Sequence, residues 1–257
     1  EELIALDPDV VFYNADVTAN YEALSAAGIP AVGFSTTLFD DYNTIDNFNA
    51  WIELLEEVMG PSDRADGIIA YGEEVQKMVA DRLANISEEE KPNTLILSNY
   101  NESAITAGGT SYANYWITST GGNNVGYEVG AFVAEVNMEQ IYKWNPDVIF
   151  LNSFSAYTPE DLYNNTAVEG HDWSGVAAVQ NQRVYKIPLG MYYWFPPSSD
   201  SPLMLQWMAK QMYPELFEDL DIQQEIKDYY SEFYGLELTD EQVDQILNPT
   251  PESAAAF

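Results

Sequence analysis

The stretch EELIALDPDVVFYN at 1–14 is written a second time, as EQIYKWNPDVIFLN at 139–152. Displacing the first copy by 138 positions brings Glu1, Pro8, Asp9, Val10, Phe12 and Asn14 onto Glu139, Pro146, Asp147, Val148, Phe150 and Asn152. Leu3 against Ile141, Asp7 against Asn145 and Val11 against Ile149 agree in kind. Each copy reads as the end of a helix, a Pro-Asp turn, and a β-branched and aromatic run with the preference of a buried strand. A strand buried on both faces needs neighbours, so the doubled unit predicts two α/β bodies rather than one.

The intervening sequence supports that division. Thr18 is placed to cap a helix running to about Ala27, Gly28 stands where a helix stops, and Pro30 blocks continuation. AVGFST at 31–36 is the next strand, so strand, helix and strand form a βαβ unit with parallel strands. From 44 to 86 the pattern is helical, broken once at Gly60-Pro61 and capped again by Ser62. Ala65, Ile68, Ile69, Gly72, Val75, Val79, Leu83 and Ile86 recur at helical intervals, over about 37 Å of rise. TLILSNY (94–100) is a strand, Gly108-Gly109 precede a helix over 111–120, and Gly121-Gly122 end it. After the strand at 147–152, RVYKIP (183–188) leads into LGMYYWFPPSSDSP, and helices at 201–213, 221–233 and 239–247 close the chain before a frayed tail.

The fold class expected is α/β, with two Rossmann-like lobes joined by a single long helix. The divisions are 1–43 for a partial first lobe, 44–90 for the helical spine and 91–257 for the second lobe with its closing helices. Two strands make a poor sheet, so the first lobe reads as incomplete, with strands expected upstream of Glu1.

Composition excludes several functions. Hydrophobic residues at 46% and aromatics at 14% are those of a folded chain, not a disordered acidic one. Asp and Glu number 42 against 9 Lys and Arg, a formal charge of -33 that cannot neutralise phosphates, so nucleic acid is not a partner. The acidic surface reads as a solubility device, compatible with a salty habitat. With no cysteine, disulfides, thiolate metal sites and cysteine nucleophiles are absent. No apolar run approaches the ~20 residues of a membrane span, and no signal peptide is seen; the chain is cytosolic or a trimmed export product. His171 is the only histidine, too little for a bare transition-metal site; it reads as a surface loop residue, with haem ligation the alternative. Carboxylate runs such as Glu88 to Glu90 read as solvated faces, and no G-x-S-x-G, P-loop or H-E-x-x-H motif occurs, so no enzyme is expected.

Four further segments carry a resemblance. The doubled E-x6-P-D-[VI]-[VI]-F unit, MGPSDRADGIIAYGEEV (59–75), TGGNNVG (120–126) and VQNQRVYKIP (179–188) occur in the order and spacing of one family. In these segments the chain resembles the helical-backbone solute-binding proteins of ABC importers, which deliver ferric siderophores, haem, cobalamin and some oxyanions. The likeness spans 1–245. It implies lobes facing each other across a shallow cleft, with a spine helix limiting their motion. It also implies a non-catalytic, extracytoplasmic monomer, periplasmic or lipid-anchored at the cell surface. Its partners would be a membrane permease and a small metal chelate, with no cofactor or metal of its own.

Ligands of α/β folds bind beyond the carboxyl ends of strands, which assigns the candidate contacts. In the first lobe these are Tyr13, Asn14 and Asp16, then Thr36, Thr37 and Phe39. In the second they are Tyr100, Asn101, Thr110, Ser111, Tyr112, Ser153 and Phe154. The late loop adds Met191, Tyr192, Tyr193 and Trp194, aromatics in a Pro-rich run without the period of strand or helix. The resemblance further implies that Glu1 and Glu139, one on each lobe tip, pair with permease arginines. Convergent cations are hard to assemble here, which favours a neutral or weakly charged chelate over a polyanion. An oxyanion held by amides around Gly108 to Ser111 is the alternative. Chelatase-like enzymes and surface adhesins of similar plan remain open at this stage.

Overall fold

The structure, a computed structural model, describes residues 2–254. The first lobe comprises α1 (Glu2–Leu6), β1 (Val11–Asn14), α2 (Thr18–Ala26) and β2 (Ala31–Phe34). β1 and β2 pair in parallel, with Val11 opposite Ala31. The long helices α3 (Thr44–Met59) and α4 (Asp63–Leu83) follow. The second lobe contains β3 (Asn93–Tyr100), β4 (Ile105–Gly108), α5 (Tyr112–Ser119), β5 (Asn123–Asn124), β6 (Val133–Val136), α6 (Met138–Trp144) and β7 (Val148–Leu151). Then come α7 (Pro159–Tyr163), α8 (Ala177–Gln180) and β8 (Val184–Lys186), closed by α9 (Ser201–Met212), α10 (Ile222–Tyr234) and α11 (Asp240–Leu247). Its sheet has the order β6-β4-β3-β7-β8, with β5 on β3, and is separate from the β1-β2 pair.

The repeated unit is structurally as well as verbally repeated. α1 ends on Asp7 at φ 46° and α6 on Asn145 at φ 41°, the aligned positions, both left-handed. Asp and Asn tolerate that region because a short polar side chain bonds locally. Asn145 Oδ1 accepts the Ala177 amide at 3.0 Å, and Asp147 Oδ2 accepts the Asn93 amide at 2.9 Å, tying the second turn to its neighbours. The two strands then differ in company. β7 lies between β3 and β8, and Phe150 is 0% exposed; among the described residues β1 pairs with β2 alone, and Phe12 is 44% exposed.

Both long helices belong to the body of the second lobe. Ile45, Ile52, Ile68, Val75 and Val79 share one buried cluster with Trp116, Phe150, Trp207, Met208 and Tyr229. Gly72 lets α3 and α4 approach closely, since a Cβ there would meet Ile45 Cγ2 at 2.9 Å. Polar ties fix the register: Tyr71 donates to Glu225 at 2.5 Å and accepts from Gln206 at 2.8 Å. Arg82 forms a fork on Asp219, donates to the Leu216 carbonyl and lies over the Phe217 ring. The first lobe's sheet reaches this body through residues 35–43. There Asn47 Nδ2 and Trp51 Nε1 both donate to the Ser35 carbonyl, and Asn47 Oδ1 accepts the Leu38 amide.

Several expectations need correction. Thr18 is the first residue of α2, not its cap; Val17 holds the cap position without a side-chain bond. The spine ends at Leu83 rather than Ile86. The antiparallel strands β4 and β6 were not foreseen; Asn101 Oδ1, accepting the amides of Ser103 and Ala104, turns the β3-β4 hairpin.

The paired phenylalanines give a direct test. Phe150→Ala should cost about 3–5 kcal/mol in urea unfolding, and Phe12→Ala less than about 1.5 kcal/mol. Equal losses would mean that the two copies are equally packed.

Candidate functional site

The loops after β1 and β2 form one polar rim. Asp16 accepts Ser35 Oγ at 2.6 Å, the Thr36 amide at 2.9 Å, Thr36 Oγ1 at 2.6 Å and Thr37 Oγ1 at 3.5 Å. Partial burial opposes ionisation of this carboxyl, but the bonds from Ser35, Thr36 and Thr37 outweigh it and hold the group below its ordinary range. Asn14 Oδ1 caps the turn by accepting the Asp16 amide at 2.8 Å. Asn14 is thereby a turn-former, and Tyr13 lies over Gly33 and stacks on Tyr21 rather than standing at the strand end.

The second lobe answers with aromatic rings. Tyr112, at the start of α5, donates its hydroxyl across the gap to the Thr36 carbonyl at 2.8 Å. Around it stand Tyr42, Phe132 and Phe195, with ring centroids 5.8, 5.5 and 5.9 Å away. Farther along this face, Phe154 packs on Tyr193 at 4.2 Å, and Tyr193 on Tyr192 at 5.1 Å. Tyr192 is 47% exposed and Phe154 likewise faces outward, while Met191 is half-buried.

Other expected contacts are placed elsewhere. Trp194 is 0% exposed and belongs to the core under α9 and α10, so it supports the late loop from beneath. Tyr100 is also fully buried: it accepts Trp173 Nε1–H at 3.1 Å and meets His171 Nδ1 at 2.9 Å. Burial raises its pKa to about 12. His171 is therefore a half-buried partner of Tyr100, not a free surface residue. Ser111 is the buried cap of α5, accepting the Ala113 amide, and Ser153 is buried beside Asn152. Thr110 is half-buried, but its amide and that of Gly109 are spent on the carbonyls of Ala131 and Phe132. Within the stretch from Gly108 to Ser111, the Gly109 and Thr110 amides are therefore already bonded to backbone.

Eight of the nine cations are engaged in ion pairs or on backbone carbonyls. Lys77, Arg82, Lys91, Lys143 and Lys227 are in ion pairs. Arg183 and Lys210 donate to backbone carbonyls near the closing helices. Lys186 is buried beneath the loop after β7, donating to the carbonyls of Ser155 and Tyr157. Burial lowers its pKa to about 8 against the pull of Asp161. Arg64 lies on the exposed first turn of α4.

Glu139 is exposed in the first turn of α6, on a surface hollow of about 650 Å³ shared with Glu128, Glu135 and Lys143. Glu128 accepts from Trp144, Gln140 and Lys143, and the Trp144 bond is foremost in keeping its carboxyl acidic. Glu1 lies outside the described residues.

Three likenesses to known proteins fit this architecture. Residues 1–189 match the family described as periplasmic binding protein. A periplasmic solute binding protein from Veillonella parvula DSM 2008 is 32% identical with a TM-score of 0.83, over 100% of this chain and 75% of that one. The molybdate-binding protein MolA of Haemophilus influenzae is 27% identical over 252 residues, 91% of this chain and 69% of MolA. Its molybdate-bound structure superposes with a TM-score of 0.75 at 25% identity, over 93% and 76% of the two chains. Helicobacter pylori CeuE with Ni(II) gives 0.71 at 25% identity, over 95% and 74%.

The Tyr112 hydroxyl that spans the gap can be removed cleanly. Tyr112→Phe should quicken amide exchange across 35–39 about three- to tenfold, the worth of one hydrogen bond, and leave β3 and β7 unchanged. An unaltered 35–39 segment would mean that the Tyr112–Thr36 contact does not restrain the first lobe.

Proposed function

The chain belongs to the periplasmic binding protein family, and from that premise we propose that its cleft captures a neutral or weakly charged metal chelate. Family membership makes it the solute-binding component of an ABC transporter, non-enzymatic and dependent on a membrane permease. The chelate, the contact residues and the docking residues are our own assignment.

One observation carries the reading: the facing surfaces are rich in rings and hydroxyls, while eight of the nine cations are already engaged in ion pairs or on backbone carbonyls. Tyr192, Phe132 and Phe154 offer exposed flat apolar area, with Tyr42 half-buried beside Phe132 and Tyr112 buried beneath as their support. A polyanion would meet the Asp16 carboxylate at the rim and find no guanidinium to balance it. Ferric hydroxamates, haem and corrinoids match such a lining. Haem would be held by tyrosine. Thr36, Thr37, Thr110 and Met191 complete the assigned contacts. The working form in this reading is an extracytoplasmic monomer; among the described residues no helix is long and apolar enough to cross a membrane.

A second reading, an oxyanion such as molybdate, is favoured by the likeness to MolA. Calorimetric titration with a ferric hydroxamate, haem, cobalamin and molybdate separates the two. Binding of molybdate alone would replace the chelate reading. If a chelate binds, Tyr192→Ala combined with Phe154→Ala should weaken it at least about tenfold, or ~1.4 kcal/mol. Unchanged affinity would remove the late loop from the site.

Glu139 is assigned to permease docking, where an exposed carboxylate on a lobe tip sets register against a cation. Glu139→Ala should preserve solute affinity and lower uptake in cells. Normal uptake would refute the docking role.

A further inference from the structure

Asp200 stands at the cap position of α9, yet its side chain does not cap that helix. It is fully buried and turns instead into the late loop. Its Oδ2 accepts the Met191 amide at 3.1 Å and the Tyr230 hydroxyl at 3.1 Å, and the same amide lies 3.0 Å from Tyr230 Oη. Gly190 packs directly on this knot. A Cβ there would lie 2.3 Å from Tyr230 Oη, 2.4 Å from Asp200 Oδ2 and 2.7 Å from Trp194 Nε1. The chain then turns back on itself, with the Gly190 amide donating to the Tyr192 carbonyl at 3.1 Å and a bridge between Leu189 and Tyr193. The exposed ring of Tyr192 is thus presented one residue beyond a backbone clamped from below.

We infer that Asp200 is a positioning residue for the late loop: its buried carboxylate fixes the backbone at Gly190 and Met191 against α9 and α10, and so sets where the Tyr192 ring stands. This role rests on the reading that the late loop faces the solute, and it adds the group that holds the loop in place. The polar groups around Asp200 are Tyr229, Tyr230 and Tyr234 from α10, the Trp194 indole from the loop, and Ser198 ahead of α9. Burial keeps all three tyrosines un-ionised by raising their pKa values.

The carboxyl gives the clamp a pH signature. Burial pushes Asp200 up to about 6, against the bonds from Tyr230 and Met191 that lower it. Lifting the loop returns the group to water and towards its ordinary 3.8. The docked loop therefore holds the proton more tightly than the lifted one. Docking is strongest in acid, weakens as pH rises between those two values, and levels off above them.

Hydrogen exchange read by mass spectrometry on the whole chain, corrected for intrinsic rates, tests this without any solute. Asp200→Ala should speed exchange across 189–195 at least about tenfold, and Tyr230→Phe about threefold, with 63–83 unchanged. Wild-type loop protection should be greater at about pH 5 than at about pH 7.5, and Asp200→Asn should abolish that difference. Unchanged loop exchange in the variants, or an equal rise throughout the second lobe, would overturn the assignment. If Asp200→Ala does not fold, Tyr230→Phe and the wild-type pH profile decide. A loosened loop with undiminished solute affinity would keep the role of Asp200 and remove the loop from the solute site.

Discussion

The packing of α3 and α4 onto the second lobe is the constraint from which the rest follows. Their apolar faces enter the same core as Phe150 and Trp207, and Tyr71 and Arg82 lock the position along the axis. The spine therefore packs on the second lobe and also meets the first lobe at Asn47 and Trp51. The small β1-β2 sheet is tied to this body by Asn47, Trp51 and the Tyr112 hydroxyl, with Phe34 edge-on to the Trp51 ring. A shallow gap closed by few bonds is suited to small hinge motions.

The architecture was legible because its strongest signal was redundant. Two copies of one helix–Pro-Asp–strand unit announced two lobes, and the apolar period of 65–86 announced the helix beside them. The strand pair β4 and β6 stayed hidden. ITAG and VAEV are short, and ITAG is rich in small residues; their pairing is decided by the sheet they join rather than by their own preference.

The site was less legible than the fold, for a physical reason. Knowing that a residue follows a strand fixes its end of the sheet but not its depth. Tyr192 and Trp194 lie two residues apart, yet one ring is exposed and the other forms core. Tyr42, Phe132 and Phe195 come from three separate segments and meet only around Tyr112. Asp200, in SSDSP before α9, carried no signal of its role: it stands at the cap position yet serves the loop.

The crowding around Gly190 separates scaffold from display. No side chain fits at that position without displacing Asp200, Tyr230 or Trp194, so drift there is closed off. The Tyr192 ring, two residues on, is exposed at 47% and packs on Tyr193. Descendants of such a chain are held to glycine at position 190, whatever the outward face of the loop comes to be.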